Sequence, residues 1–85
     1  MAHSIEYKPS AKKELDALSG NTHGRVLKAI DGLEDNPRPP GCKKLRGRDN
    51  EYRISVGDYR VIYEIRDAVL IVLVVKVAHR GKVYR

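Results

Sequence analysis

The chain has 85 residues, 41% of them apolar and 33% charged, proportions of a folded globular chain rather than a disordered one. A single cysteine, Cys42, excludes an internal disulfide, and no apolar leader or run near the ~20 residues that cross a bilayer is legible, so a reducing, cytoplasmic setting is expected. The net charge of +6 is unevenly placed: residues 1–42 hold six Lys/Arg and six Asp/Glu, residues 43–85 hold eleven against five. Such a basic half suits a polyanion or an acidic protein partner, if it is more than a well-solvated face.

In chain order, SIEYK (4–8) alternates Ile5 and Tyr7 with polar neighbours and predicts a short first strand. After Pro9-Ser10, the positions of Ala11, Leu15 and Leu18 form one stripe of a short helix. SGNTHG (19–24) is a turn offering Asn21 or Thr22 as the next N-cap. Val26, Leu27, Ile30 and Leu33 then form a second helical stripe, which Asn36-Pro37 stops. The stretch 36–50 is a connector rich in proline, glycine and basic residues.

Three strands are predicted next. EYRISV (51–56) and DYRVIYEIR (58–66) alternate, with Gly57-Asp58 as the turn between them. Arg66-Asp67 turns the chain into the apolar run 69–77, which has no alternation and therefore reads as a central strand covered on both faces. The expected fold is one α+β domain over residues 1–85, in the order β-α-α-β-β-β. A helical hairpin packs on one face of a mainly antiparallel four-stranded sheet. Tyr52, Ile54, Val56, Val61 and Ile65 should face the helices. Arg53, Ser55, Arg60 and Lys76 should lie on the other face, with HRGKVYR (79–85) leaving beside it.

Several chemistries lack their residues. His3, His23 and His79 are far apart and no C-x-x-C pairs with them, so neither a metal nor another cofactor is expected. Cys42 sits among prolines and glycines and reads as an incidental thiol. A basic face can, however, hold a phosphodiester, because arginine makes bidentate contacts to phosphate oxygens. RNA brings its own nucleophile, the 2′-OH, so cleavage needs only a base, an acid and a cation at the phosphate. Arg53, Arg60, His79, Arg80 and Tyr84 include those types, provided that dense positive charge acidifies the tyrosine. The residues by themselves therefore indicate a nucleic-acid-binding or RNA-cleaving module.

Taken together, KKLRG (43–47), EYRISVGDYRVIYEI (51–65) and VAHRGKVYR (77–85) resemble the RelE/ParE superfamily of toxin–antitoxin toxins. In its RelE-like branch the resemblance implies a metal-free, ribosome-dependent endoribonuclease. Such an enzyme cuts mRNA in the A site through a 2′,3′-cyclic phosphate and is neutralised by an antitoxin. Arg60 matches the arginine at the scissile phosphate, Arg80 the arginine implied to protonate the leaving group, and Tyr84 the tyrosine implied to activate the 2′-OH. Arg53 stands where the family has a lysine and keeps the charge, whereas Ser55 stands where it has a second lysine and loses it. Lys76, His79 or Lys82 can supply that charge from elsewhere. Lys43, Lys44 and Arg46 either grip ribosomal RNA or are simply solvated.

The resemblance further implies a cognate acidic, RelB-like antitoxin seated at the groove of the helical hairpin, with operator DNA bound only through that complex. Two alternatives stay open. One is a ParE-like poison of DNA gyrase with no nuclease chemistry; the other is a degenerate toxin kept as an antitoxin binder.

Overall fold

The computed structural model describes residues 2–47 and 49–82. Strands β1 (Ser4–Tyr7), β2 (Lys43–Lys44), β3 (Glu51–Val56), β4 (Tyr59–Arg66) and β5 (Ile71–His79) form one sheet in the order β1-β5-β4-β3-β2. Only the β1–β5 pair is parallel. Helices α1 (Pro9–Asp16) and α2 (Gly20–Asp31) cover one face. The α+β class and the element order are as expected. The sheet has five strands rather than four, because the basic connector adds Lys43 and Lys44 as an edge pair opposite Arg53 and Tyr52.

Local chemistry explains each element. Pro9 opens α1, where its fixed φ is already helical and its missing N–H goes unmissed. Ala11 and Leu15 are its buried residues. Helix α2 starts earlier than expected: Ser19, not Asn21 or Thr22, is the N-cap, because Gly20 takes a left-handed φ of +55° and makes the turn itself. Val26 and Ile30 are buried on α2, and Leu33 follows in a 3-10 turn over Gly32–Glu34.

Below the helices, the covered face of the sheet supplies Ile54, Val61, Tyr63, Ile65, Val72, Val74 and Val77, all buried. With Ala11, Leu15, Val26, Ile30 and Leu33 they form one hydrophobic cluster, edged by Ile5, Tyr7, Tyr52, Val56 and Tyr59. The predicted inward set is correct.

The apolar run forms an interior strand between β1 and β4, as expected, but differs from expectation in two ways. Its first residues are not strand: Asp67–Val69 is a 3-10 turn, Val69 is 61% exposed, and Leu70 takes φ 55° to redirect the chain. Nor is it covered on both faces, for only Val72, Val74 and Val77 are buried while Ile71, Leu73 and Val75 stay half-exposed. Ile62 pairs with Lys76 but Tyr63 with Val74, which leaves Val75 as a bulge. That extra residue turns Val77 inward and Lys76 outward; simple alternation would have buried the lysine.

Strand β1 ends at Tyr7 opposite Val74, which leaves the outer edge of β5 without a strand beyond that point. Glu14 of α1 takes over. The Val77 amide donates to Glu14 Oε1 at 2.9 Å, and Lys76 Nζ lies 3.6 Å from Glu14 Oε2. A carboxylate thus occupies an edge that would otherwise invite another strand. Glu14→Ala should speed amide exchange at Val77, whereas Glu14→Gln, which keeps an acceptor, should preserve most of the protection; equal exchange in all three proteins would refute the role.

The connector is tied down by an aromatic and ionic chain. Buried Tyr63 donates its hydroxyl to Pro37 O at 2.7 Å and stacks on Tyr52, ring centroids 6.1 Å apart. Arg38 lies over the Tyr52 ring, donates to its hydroxyl at 3.3 Å and donates to Asp67 Oδ2 at 3.0 Å. His3 Nε2 is 3.1 Å from Asp67 Oδ1. The Arg38 and His3 contacts hold the Asp67 carboxyl below its usual range, while burial, with Cys42 nearby, raises the Tyr63 phenol so that it stays a neutral donor.

Candidate nucleic-acid interface

Strand register assembles the uncovered face. In one transverse row Lys43, Arg53, Ile62 and Lys76 stand side by side; in the next, Ser55, Arg60 and Ala78. Ile62 is only 8% exposed although no helix lies over it. Its row neighbours Arg53 and Lys76 carry long apolar stems suited to covering it while their charged heads reach water. A third row is acidic, with Glu51 opposite Glu64, and Glu64 is engaged by Arg66 Nε at 2.6 Å. Positive charge on this face is therefore concentrated toward the β3–β4 turn.

That turn is where the two candidate arginines meet. Gly57, at φ +59°, makes the tight reversal. Arg60 folds back on it, Nη1 donating to Gly57 O at 3.3 Å and Tyr59 O at 3.1 Å. Beyond β5, the Arg80 amide donates to Asp58 O at 2.8 Å, and Arg80 Nη1 lies 4.0 Å from Asp58 Oδ1. Strand pairing thus brings residues 60 and 80 to one end of the sheet. With Arg60 using only Nη1 for the turn, its Nε and Nη2 face no protein acceptor among the described residues.

Other predicted residues are distributed less simply. Ser55 is exposed beside Arg60 and brings no charge to that row. Lys76 belongs to the basic face but leans round the edge to Glu14. His79 pairs opposite Tyr59 and meets its ring edge-on at 5.6 Å, which puts the imidazole on the helical side rather than with Arg53. Lys82 follows in an exposed turn, its amide donating to His79 O at 2.8 Å. Lys44 pairs with Tyr52 and so faces away from Lys43. Arg46 lies past β2, near the start of β3 and away from the turn that holds Arg60. Tyr84 lies outside the described residues.

Three contributors escaped the sequence reading. Asp58 shows only as a turn residue, Glu14 only as one acid on a helix, and Arg25 only as one cation on another. No spacing signal relates Glu14 or Asp58 to β5, or Arg25 to the β3–β4 turn; tertiary structure alone does.

Helices on one face and basic side chains gathered toward one end of the other define a small α+β protein. The family described as "ParE toxin of type II toxin-antitoxin system, parDE" matches residues 5–84. A protein of Escherichia coli described as RelE-like toxin is 30% identical, over 96% of this chain and 87% of that one. Among solved structures, a chain of the archaeal RelE–RelB complex from Pyrococcus horikoshii superposes with TM-score 0.83 at 30% identity, covering 96% of this chain and 99% of that chain. A chain of the intact E. coli RelBE toxin–antitoxin complex gives TM-score 0.81 at 26% identity, covering 92% and 96%. The chain belongs to the ParE toxin family of type II toxin–antitoxin systems and, within it, is a toxin of the RelBE type. No helix among the described residues is long and apolar enough to cross a membrane.

Proposed function

We propose that this toxin is a ribosome-dependent endoribonuclease that cleaves mRNA in the A site. The observation that carries the reading is the convergence of Arg60 and Arg80 on the β3–β4 turn, next to a row containing Lys43, Arg53 and Lys76. A phosphodiester laid across that end meets two guanidinium forks and additional positive charge. All of these strengthen as the phosphorane gains charge in the transition state.

In the proposed reaction the substrate's O2′ attacks phosphorus, the bond from phosphorus to O5′ breaks, and a 2′,3′-cyclic phosphate forms. Tyr84, as its phenolate, takes the 2′ proton and becomes the neutral phenol, Arg60 holds the phosphate, and Arg80 serves the departing 5′ oxygen. A guanidinium is a very weak acid, so the contribution of Arg80 is chiefly a charge-assisted hydrogen bond to that oxygen, which takes its proton from solvent water as it leaves. Arg53 and Lys76 compensate the charge that Ser55 does not supply. Tyr84→Phe should lower single-turnover cleavage on mRNA-programmed ribosomes by about 10²–10⁴-fold, the worth of a positioned proton acceptor. Cleavage that persists in this variant would remove Tyr84 from the mechanism.

The proposed partner is an acidic, RelB-like antitoxin docked at the groove of the helical hairpin. Support comes from relatives solved as RelE–RelB complexes and from the +6 charge of this chain. Operator DNA is bound only through that complex.

A second reading, a gyrase poison without nuclease chemistry, is favoured by the uncharged Ser55 on the basic face and by the matching family's own description. Cleavage assays on purified ribosomes separate the two. Codon-positioned cuts with cyclic phosphate ends support the nuclease; folded protein that leaves mRNA intact and inhibits gyrase supports the poison.

A further inference from the structure

A third arginine reaches the β3–β4 turn, from the opposite side. Arg25, on the exposed flank of α2, lays its guanidinium against Gly57 so closely that a Cβ there would sit 3.4 Å from Nη2. Thr22, Arg25, Val56, Gly57, Asp58 and Tyr59 enclose a predominantly polar pocket of about 210 Å³. Arg25 has no carboxylate within ion-pairing distance among the described residues, and Asp58, the acid lining the pocket, already stands beside Arg80.

Arg25, Arg60 and Arg80 thus surround one short turn with a single carboxylate among them. Three cations against one acid leave net positive charge at the turn, which attracts an anion. The glycine permits the reversal, since any side chain at 57 would be strained at φ +59°, and the Arg25 guanidinium lies within van der Waals reach of that position.

We infer that this pocket binds an RNA backbone phosphate flanking the scissile one, with Arg25 as its binding residue. The inference rests on the RNA-cleaving reading above. It extends the interface from the uncovered sheet face round the turn to the helical side, so that the strand is gripped on both sides of the cut.

The test compares wild type, Arg25→Gln and Arg25→Lys in two arms across a series of potassium chloride concentrations. One arm measures binding of a free oligoribonucleotide carrying a 2′-deoxy sugar at the cut position; the other measures binding to mRNA-programmed ribosomes. Loss of one phosphate contact should flatten the plot of log affinity against log salt by about 0.7 in Arg25→Gln, while Arg25→Lys keeps the wild-type slope. Flattening in both arms assigns the phosphate to mRNA and supports the inference, whereas flattening on ribosomes alone assigns it to ribosomal RNA and overturns the placement beside the cut. An unchanged slope in both arms, or no RNA binding by wild type, overturns the inference. Cleavage measured on the same proteins judges the nuclease reading separately: wild type that binds without cutting defeats that reading, while the slopes still decide the pocket.

Discussion

Replacing Arg80 by alanine should lower single-turnover cleavage of ribosome-bound mRNA by about 10²–10³-fold, the usual cost of removing one preorganised donor from a developing charge. The side chain is 64% exposed and its ion pair to Asp58 is long, at 4.0 Å. Such a contact contributes little to folding. The hydrogen bond that anchors this segment runs from the Arg80 amide to Asp58 O and survives any side-chain change. Activity should therefore fall with no shift in melting temperature, a combination that a structural residue would not give. Arg80→Lys should fall between the two, because a lysine restores the charge but not the planar fork. If alanine leaves cleavage intact, the leaving group is served by another residue and the proposed division of labour is wrong.

Tyr63→Ala should destabilise the fold by about 3–5 kcal/mol, the range for removing a buried aromatic ring. Stabilities of small domains are only ~5–15 kcal/mol, so this loss takes a large share of the total. Tyr63 is wholly buried, stacks on Tyr52 and holds the connector through Pro37 O. Tyr63→Phe isolates the hydroxyl: it leaves a buried carbonyl without its donor and should cost about 1–3 kcal/mol. At roughly 4–8 °C per kcal/mol for a domain of this size, the difference is readable by thermal melting. A phenylalanine variant as stable as wild type would mean that Pro37 O is satisfied by water and that the connector is held chiefly by Arg38 and Asp67.

What the sequence determined by itself was the list of elements and, in the alternating segments, which residues face inward. In β3 and β4 a period of two, with mostly polar residues between the apolar positions, leaves only one register that buries Ile54, Val61, Tyr63 and Ile65 together. Arg53, Ser55 and Arg60 then follow onto the opposite face. The helical stripes were equally clear, since Ala11 and Leu15 on α1, and Val26 and Ile30 on α2, lie four residues apart and are nearly or wholly inaccessible to solvent.

Where the pattern was uniform, the tertiary structure decided. In the run 69–77 every apolar residue suits either face, so local preference cannot fix the phase. The bulge at Val75 fixes it, because it places Val77 in the core and spares Lys76 from burial. The fifth strand was hidden for a related reason: Lys43 and Lys44 have no apolar partner spacing and become strand only by pairing with Arg53 and Tyr52. Contacts between residues distant in sequence left no local trace at all. Glu14 against the edge of β5 and Arg25 against Gly57 depend on packing helices over a sheet, Asp58 beside Arg80 depends on pairing β4 with β5, and only the folded chain brings those groups together.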